Sequence, residues 1–388
     1  MQQNQNKISS YSIEYENKVK LECANNNFLS FILSKFNIIY SNKTKNNILN
    51  IVRILNSKNI DIFKLKKIVF NGLPDDINCI RSLIWKILLN TLSLNINEWN
   101  DNLNNNRKKY IKLKNKYNEQ MKIFNKCKFN NDHPLNINNN SVWKKYFDNL
   151  ELLNQIKKDI NRTKSHLSFF SKPYKINNNN NNNENNFESN SDVMLRILFI
   201  YGKRHPEVNY VQGMNEILAP IFYCYSSDNN PSFLEYLEED SFNSFENLME
   251  NIKINFIKKY DNLEDGVSNK LKNFHDLLKM IDYDIYKELE KYNIKMEYFA
   301  FKWVTLFFTQ DFDMPGILRL WDSLLSDNDL YDFLNMLMLG IMRINKKNIL
   351  NNDFSGIMMK LQNIEEIDVE ELIENATQIR RELNENYV

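Results

Sequence analysis

The chain has 388 residues, 43% hydrophobic and 13% aromatic, enough to bury a large core, so disorder throughout is excluded. Fifty Lys and Arg oppose 49 Asp and Glu, a net charge of +1, so the molecule as a whole has no attraction for nucleic acid or an acidic membrane and any electrostatic steering must be local. Seven Gly and seven Pro fall far below the usual ~7% and ~5%, which leaves little for β-turns or glycine loops and points to an all-α fold.

The first residues, MQQNQNKISSYS, carry no apolar segment of the kind a secretory signal needs. Amphipathic spacing predicts helices at about 27–40 and 61–70. Gly72 and Pro74 mark the entry to another, in which Ile80, Leu83, Ile84, Ile87 and Leu88 recur at i, i+3, i+4, i+7 and i+8, the apolar stripe of a helix packed on a core. Further helices are expected at about 107–126, 143–160, 192–203, 213–226, 241–260, 267–291, 295–310, 314–325, 328–345 and 365–383. The Asn-rich stretch from Phe129 to Asn140 reads as a loop. The unbroken run Asn177 to Asn183, continued by Glu184, Asn185 and Asn186, buries too little apolar surface to offset its ordering entropy, and predicts a disordered insertion at about 175–191. No period of 20–50 residues recurs, which excludes a solenoid, and the short connections imply a compact bundle. The most apolar stretch, Tyr298 to Phe308, is half the length of a membrane span and contains Lys302. These features describe a soluble protein of a reducing compartment.

Charge is uneven along the chain. Between Arg107 and Lys128 stand nine basic residues and one acid, Glu119, a pattern that is either a solvated helix face or a contact for an anionic membrane surface or acidic partner. Toward the other end Glu365, Glu366, Asp368, Glu370, Glu371 and Glu374 gather where a helix begins, favourable to its dipole.

Several chemistries are missing. No GxxxxGK[ST] or GxGxxG is present to cradle a nucleotide, and no GxSxG or HExxH marks a nucleophile or metal. Cys23, Cys79, Cys127 and Cys224 are scattered, without CxxC pairs or clustered histidines, so neither disulfides nor a metal site is expected. Any part in catalysis therefore consists of side chains lent to a site housed elsewhere.

Three segments hold polar residues that helical periodicity does not require. Arg81 and Trp85, after Gly72-Leu73-Pro74-Asp75-Asp76, are i and i+4 on one face, so the guanidinium can lie over the indole. Asp159 and Arg162 are i and i+3 at a point where the helical pattern fails, so Arg162 projects from a helix end; a surface ion pair is the plain reading. In His205 to Glu216, Pro206 ends one helix, Tyr210 anchors the loop, and Gln212-Gly213 opens the next helix with room for a close backbone approach.

In order and content these segments resemble the TBC-domain family of Rab GTPase-activating proteins. The IxxDxxR block ending at Arg162 and Tyr210-Val211-Gln212 match its two signature motifs, and Gly72 to Leu89 resembles its opening RxxxW motif. Phe299 to Phe308 with Met314-Pro315, and Arg319-Leu320-Trp321-Asp322, agree as well, over roughly residues 60–345. Asp132-His133-Pro134-Leu135, Ser168-Phe169-Phe170 and Tyr210 to Pro220 are most similar to the member-thirteen type of that family. Two departures stand out: Thr163-Lys164-Ser165 replaces the common Thr-x-Pro, and Asn209 stands where a glycine commonly precedes the tyrosine.

The resemblance implies an all-α, two-lobed TBC domain at 61–345, with an N-terminal helical extension at 1–60 and a C-terminal helical segment at 346–388. It implies an activator, not itself an enzyme, that accelerates GTP hydrolysis on a GTP-bound Rab-family GTPase in vesicle trafficking. Arg162 would be an arginine finger and Gln212 a glutamine finger, both supplied in trans, with Asp159, Tyr210, Gly213, Asn215, Arg81 and Trp85 in support. It would have no cofactor of its own, because GTP and Mg²⁺ belong to the partner. A cytoplasmic place follows, peripheral on endomembranes if the basic segment 107–128 touches lipid, with no role for nucleic acid. The alternative is a catalytically silent scaffold of the same fold that binds a Rab or its effectors.

Overall fold

The computed structural model describes residues 42–74, 78–126, 138, 141–174, 188–228, 231–257 and 266–386. The expected helix at 27–40, the run Asn177 to Asn186 and nearly all of Phe129 to Asn140 lie outside them. The described residues form α-helices without a strand. In chain order these are α1 (Asn42–Leu55), α2 (Ile62–Val69), α3 (Asn78–Leu88), α4 (Trp99–Lys126), α5 (Val142–Ile160), α6 (Asn190–Arg204), α7 (Met214–Ser226), α8 (Pro231–Leu234) and α9 (Leu237–Ile252). There follow α10 (Val267–Ile281), α11 (Tyr283–Lys291), α12 (Ala300–Leu306), α13 (Met314–Ser326), α14 (Leu330–Ile344), α15 (Lys346–Leu350), α16 (Phe354–Gln362) and α17 (Val369–Asn386). None of the described helices is long and apolar enough to cross a membrane.

In a chain poor in Gly and Pro, helix boundaries are set by short polar side chains. Asp61, Ser141, Asp313, Asp329 and Asp353 each accept a backbone N–H from the first turn of the helix they precede, and Ser189 forms a reciprocal capping box with Asp192. Each such cap is worth about 1 kcal/mol. Asp368 caps α17 in the same way through Glu371 N–H, so of the C-terminal acids Glu370 and Glu371 occupy the first turn while Glu365 and Glu366 precede the helix.

Two apolar cores are present. The smaller joins Ile48, Ile51 and Leu55 of α1, Leu65 and Val69 of α2, and Ile80, Leu83, Ile84 and Ile87 of α3. The larger takes Trp85 from α3 and gathers residues of α4–α7 and α9–α17, among them Ile217, Phe245, Trp303, Trp321, Leu337 and Leu372. Helix α3 thus lies between the cores, and even its Arg81, Ser82 and Lys86 are buried.

Burying Arg81 requires a partner, and Asp322 of α13, fully buried, provides it. Arg81 donates to both Asp322 oxygens at 3.1–3.2 Å and to Leu73 O at 2.8 Å. Trp85 Nε1 donates to Asp322 Oδ1 at 2.8 Å and Leu73 N–H to Oδ2 at 3.0 Å, and the Trp85 ring stacks on Trp321 at 5.8 Å. The i and i+4 spacing of Arg81 and Trp85 therefore converges two donors on one carboxylate.

Several boundaries differ from the periodicity. Helix α4 begins at Trp99, well before 107, because Leu103 and Arg107 are buried within an otherwise polar Asn-rich turn. The expected 241–260 helix spans 237–252. The 267–291 helix breaks at Asp282, which ends α10 and caps α11 by accepting Ile285 N–H. The 295–310 helix stops at Leu306, because Phe307 and Phe308 take left-handed conformations (φ 50° and 63°). Left-handed geometry costs about 1–2 kcal/mol per residue, and burying both rings offsets it. Helices α1, α15 and α16 fall in the terminal segments expected to be helical but were not marked individually by the spacing, and α8 was not expected.

Replacing Asp322 with Ala leaves the Arg81 charge buried without its partner and should cost about 3–5 kcal/mol. Urea unfolding of the full chain measures it; a loss under about 1 kcal/mol would show that the carboxylate does not hold α3 to α13.

Candidate functional site

An open cleft of about 570 Å³ is walled on one side by Asp159, Arg162, Val211, Gln212, Gly213, Asn215 and Glu216. Asn255, Phe256, Phe301, Lys302, Thr305, Leu306 and Gln310 form its other wall. The first wall is built from the end of α5 and the start of α7.

Helix α5 stops at Ile160, and the chain turns tightly onto the Asp159 carbonyl, which accepts Arg162 N–H (3.1 Å), Thr163 N–H (3.1 Å) and the Thr163 hydroxyl (3.0 Å). The turn projects Arg162 outward, its side chain 68% exposed, while Asp159 beneath it is buried. Arg162 Nη2 donates to Asp159 Oδ1 at 2.6 Å and its Nε to Lys158 O at 3.3 Å.

The second motif closes on the same carboxylate. The Tyr210 hydroxyl lies 2.9 Å from Asp159 Oδ2 and 3.0 Å from Asn215 Oδ1 and shares its proton between them. Burial, reinforced by the Asp159 charge, pushes the Tyr210 hydroxyl far above its ordinary range, so it stays a donor. Asn215 Oδ1 also accepts Gly213 N–H (3.1 Å), and Asn215 Nδ2 donates to Thr163 Oγ1 at 2.7 Å. Asp159, Thr163, Asn215 and Tyr210 thus form a closed ring of bonds between the two motifs.

Gly213 has φ 106°, and a Cβ there would come within 2.8 Å of Leu306 Cδ2, so both backbone and space require glycine. Gln212 is exposed on the cleft wall, and its side chain has no hydrogen-bond partner among the described residues. Asn209 adopts φ 58°, the left-handed region that Asn tolerates better than most residues, which accounts for its standing in a glycine's place.

Lys164 stands beside the other departure, Ser165 in the place of proline. Lys164 too is left-handed (φ 44°), and its Nζ donates to Phe312 O at 2.7 Å, fastening the arginine loop to the segment that leads into α13. Burial lowers the Lys164 ammonium below its ordinary range, against the pull of Glu216, Asp311 and Asp313. Burial likewise raises the Glu216 carboxyl, against Lys164 and a hydrogen bond from Gln310. On the facing wall Lys302 pairs with Asp311 at 2.5 Å and donates to Gln362 O at 2.9 Å, beside a half-exposed Phe301.

Of the residues singled out from the sequence, Arg162, Gln212, Asp159, Tyr210, Gly213 and Asn215 come together here. Arg81 and Trp85 do not line the cleft; they serve Asp322. Thr163, Lys164, Glu216 and Gln310 were missed as site residues, since their partners are distant in sequence. Among the described residues no group of three or more His, Cys, Asp or Glu is placed to hold a metal ion. What the cleft presents is a permanently charged, forked donor beside an amide that can donate and accept, both open to a partner.

Comparison with known proteins agrees with this architecture. Residues 78–350 match the family model of the Rab-GTPase-TBC domain. The chain is 32% identical to TBC1 domain family member 13 of Homo sapiens, over 87% of this chain and 98% of that one. It is 26% identical to the GTPase-activating protein GYP1 of Saccharomyces cerevisiae, over 76% of this chain and 40% of that protein. The crystal structure of the Ypt/Rab-GAP domain of Gyp1p shares the fold, with a TM-score of 0.67 at 23% identity, covering 87% of this chain and 98% of that one. Extent of match and shared fold together place the chain in the Rab-GTPase-TBC domain family.

Proposed function

We propose that the protein accelerates GTP hydrolysis on a Rab-type small GTPase in its GTP-bound form, as an activator that lends side chains and does not itself turn over substrate. The observation that carries this reading is the joint exposure of Arg162 and Gln212 on one cleft, with their backbones tied together by the Asp159–Tyr210–Asn215–Thr163 ring. The naming of the yeast relative as a GTPase-activating protein supports it. GTP and its Mg²⁺ come with the partner.

Phosphoryl transfer through a loose transition state needs positioning and positive charge more than a strong base. Arg162 meets the charge spread over the phosphate oxygens, and its guanidinium is always protonated and forked, as a point-charge ammonium is not. Gln212 holds the attacking water with one side of its amide while the other side bonds the partner's backbone. Asp159 orients Arg162, and Tyr210 and Asn215 hold Asp159 and the loop. In the cell the result is the ending of a vesicle-trafficking signal at the cytoplasmic face of a membrane.

Arg162→Ala should lower stimulated hydrolysis by about three to five decades in a protein that still folds, with at most a modest drop in thermal midpoint from the donor that Asp159 loses. Arg162→Lys should recover little of the rate. Single-turnover assays against purified Rabs measure both, and full activity in the alanine variant would refute the catalytic assignment.

Gln212 is tested by a two-by-two set in which it and the GTPase's own catalytic glutamine are each intact or replaced. Gln212→Ala should remove most of the stimulation and spare complex affinity, because the water contact counts in the transition state. Replacing the GTPase's glutamine should cost little. The reverse pattern would make Gln212 structural.

A further inference from the structure

Helix α4 divides its positive charge between two faces. On the inner face Arg107 forks onto Asp240 with two bonds of 2.8 Å, the Tyr110 hydroxyl donates to Glu238 at 2.7 Å, and Lys114 pairs with Glu238 at 2.6 Å. The acidic start of α9 neutralises that face. On the outer face Lys108, Lys112 and Lys116 are all exposed and stand at i, i+4 and i+8. They form a straight row with steps of about 6 Å. None of the three has an ion-pair partner among the described residues.

Next to that row Lys109 lines a small pocket of about 160 Å³ between α4, the end of α6 and α9. Asn106, Arg204, Asn243 and Glu246 line it as well. Asn243 is only 9% exposed, and its Nδ2 is buried with no hydrogen-bond partner. A buried amide donor left empty costs about 1–3 kcal/mol, which favours a turn of the Asn243 side chain toward an acceptor bound in the pocket. The one carboxylate in the pocket, Glu246, receives Arg204 Nε at 2.7 Å and His205 Nε2 at 2.8 Å, both on Oε1. Lys109 and Arg204 set against Glu246 leave the lining with a surplus of positive charge.

We propose that this face of α4 docks on an anionic membrane and that the pocket takes a phosphomonoester of a lipid headgroup. An ammonium and a guanidinium in charge surplus favour a phosphate oxyanion. The lysine row selects the lipid source, because it spans about 12 Å, more than a single phosphate needs, and matches a plane of negative charge. The function is separate from the Arg162–Gln212 cleft, whose residues it does not share.

The test is co-sedimentation of the full chain with phosphatidylcholine vesicles carrying either phosphatidylinositol 4-phosphate or phosphatidylserine at matched surface charge. The phosphoinositide vesicles should bind more tightly, and binding to both should weaken steeply with salt. Replacing Lys108, Lys112 and Lys116 together with Gln should weaken both by about a hundredfold, at roughly a factor of five per lysine. Asn243→Ala, and independently the exposed-site change Lys109→Met, should abolish the preference for phosphoinositide and leave phosphatidylserine binding in place. Equal binding of both lipids with no effect of either pocket variant overturns the pocket, and absence of salt-sensitive binding overturns the docking face. Soluble inositol phosphate binding that is as tight in the triple-Gln variant as in the parent would make a free metabolite the ligand and overturn the membrane source. Stimulated GTP hydrolysis in solution should be unchanged by the triple variant, so failure here is distinct from failure of the activator reading.

Discussion

One buried carboxylate holds the cleft together. Asp159 has almost no contact with water, so as an anion it must be satisfied from within, and each of its oxygens takes a donor from a different part of the chain. Arg162 satisfies Oδ1, Tyr210 satisfies Oδ2, and the main-chain carbonyl gathers the turn after α5. The two motifs lie on either side of the Asn-rich run, yet this closure fixes their mutual placement whatever length of chain intervenes, since loop closure grows costlier only slowly with length. Removing Asp159 would release the Arg162 turn and the Tyr210 loop together.

The same logic recurs deeper in the molecule. Asp322 collects Arg81, Trp85 and the Leu73 amide; Glu238 collects Arg196, Lys114 and Tyr110; Asp240 collects Arg107 and Lys86. Lys86 is the extreme case, its ammonium 3.4 Å from Asp240 and lying 3.8 Å over the Phe233 ring, and burial draws its pKa below the ordinary range. Apolar stripes hold helices together without specifying rotation, because burial is non-directional. Carboxylates that receive donors from one or two other helices add the direction.

Most helices were legible because an apolar stripe repeats regardless of what it packs against. The stretches that escaped reading are those in which tertiary burial overrides local pattern. Nothing in the sequence of Phe307 and Phe308 announces two left-handed aromatics, and the early start of α4 lies in a turn that reads as polar. In the cleft, side-chain types and short spacings were visible: Asp159 with Arg162, Gln212 with Gly213. Links such as Thr163 to Asn215 or Lys164 to Phe312 join segments far apart in the chain and leave no local trace. Asn209 shows the converse, since a departure from family pattern became intelligible once its φ was known.

The bond between Arg162 and Asp159 also governs how the cleft is felt from afar. A lone guanidinium projects a monopole field, whereas one held 2.6 Å from a carboxylate projects mainly a dipole, which fades more steeply with distance. With salt screening beyond about 8–10 Å, little of that field reaches an approaching anion. Arrival at the cleft is therefore not accelerated by Arg162, and discrimination between partners falls to the contact stage, where dissociation rates decide which encounters persist. The ion pair has already lost much of the arginine's rotamer freedom, about 2 kcal/mol in a free side chain, so a contact made from this position costs little further ordering.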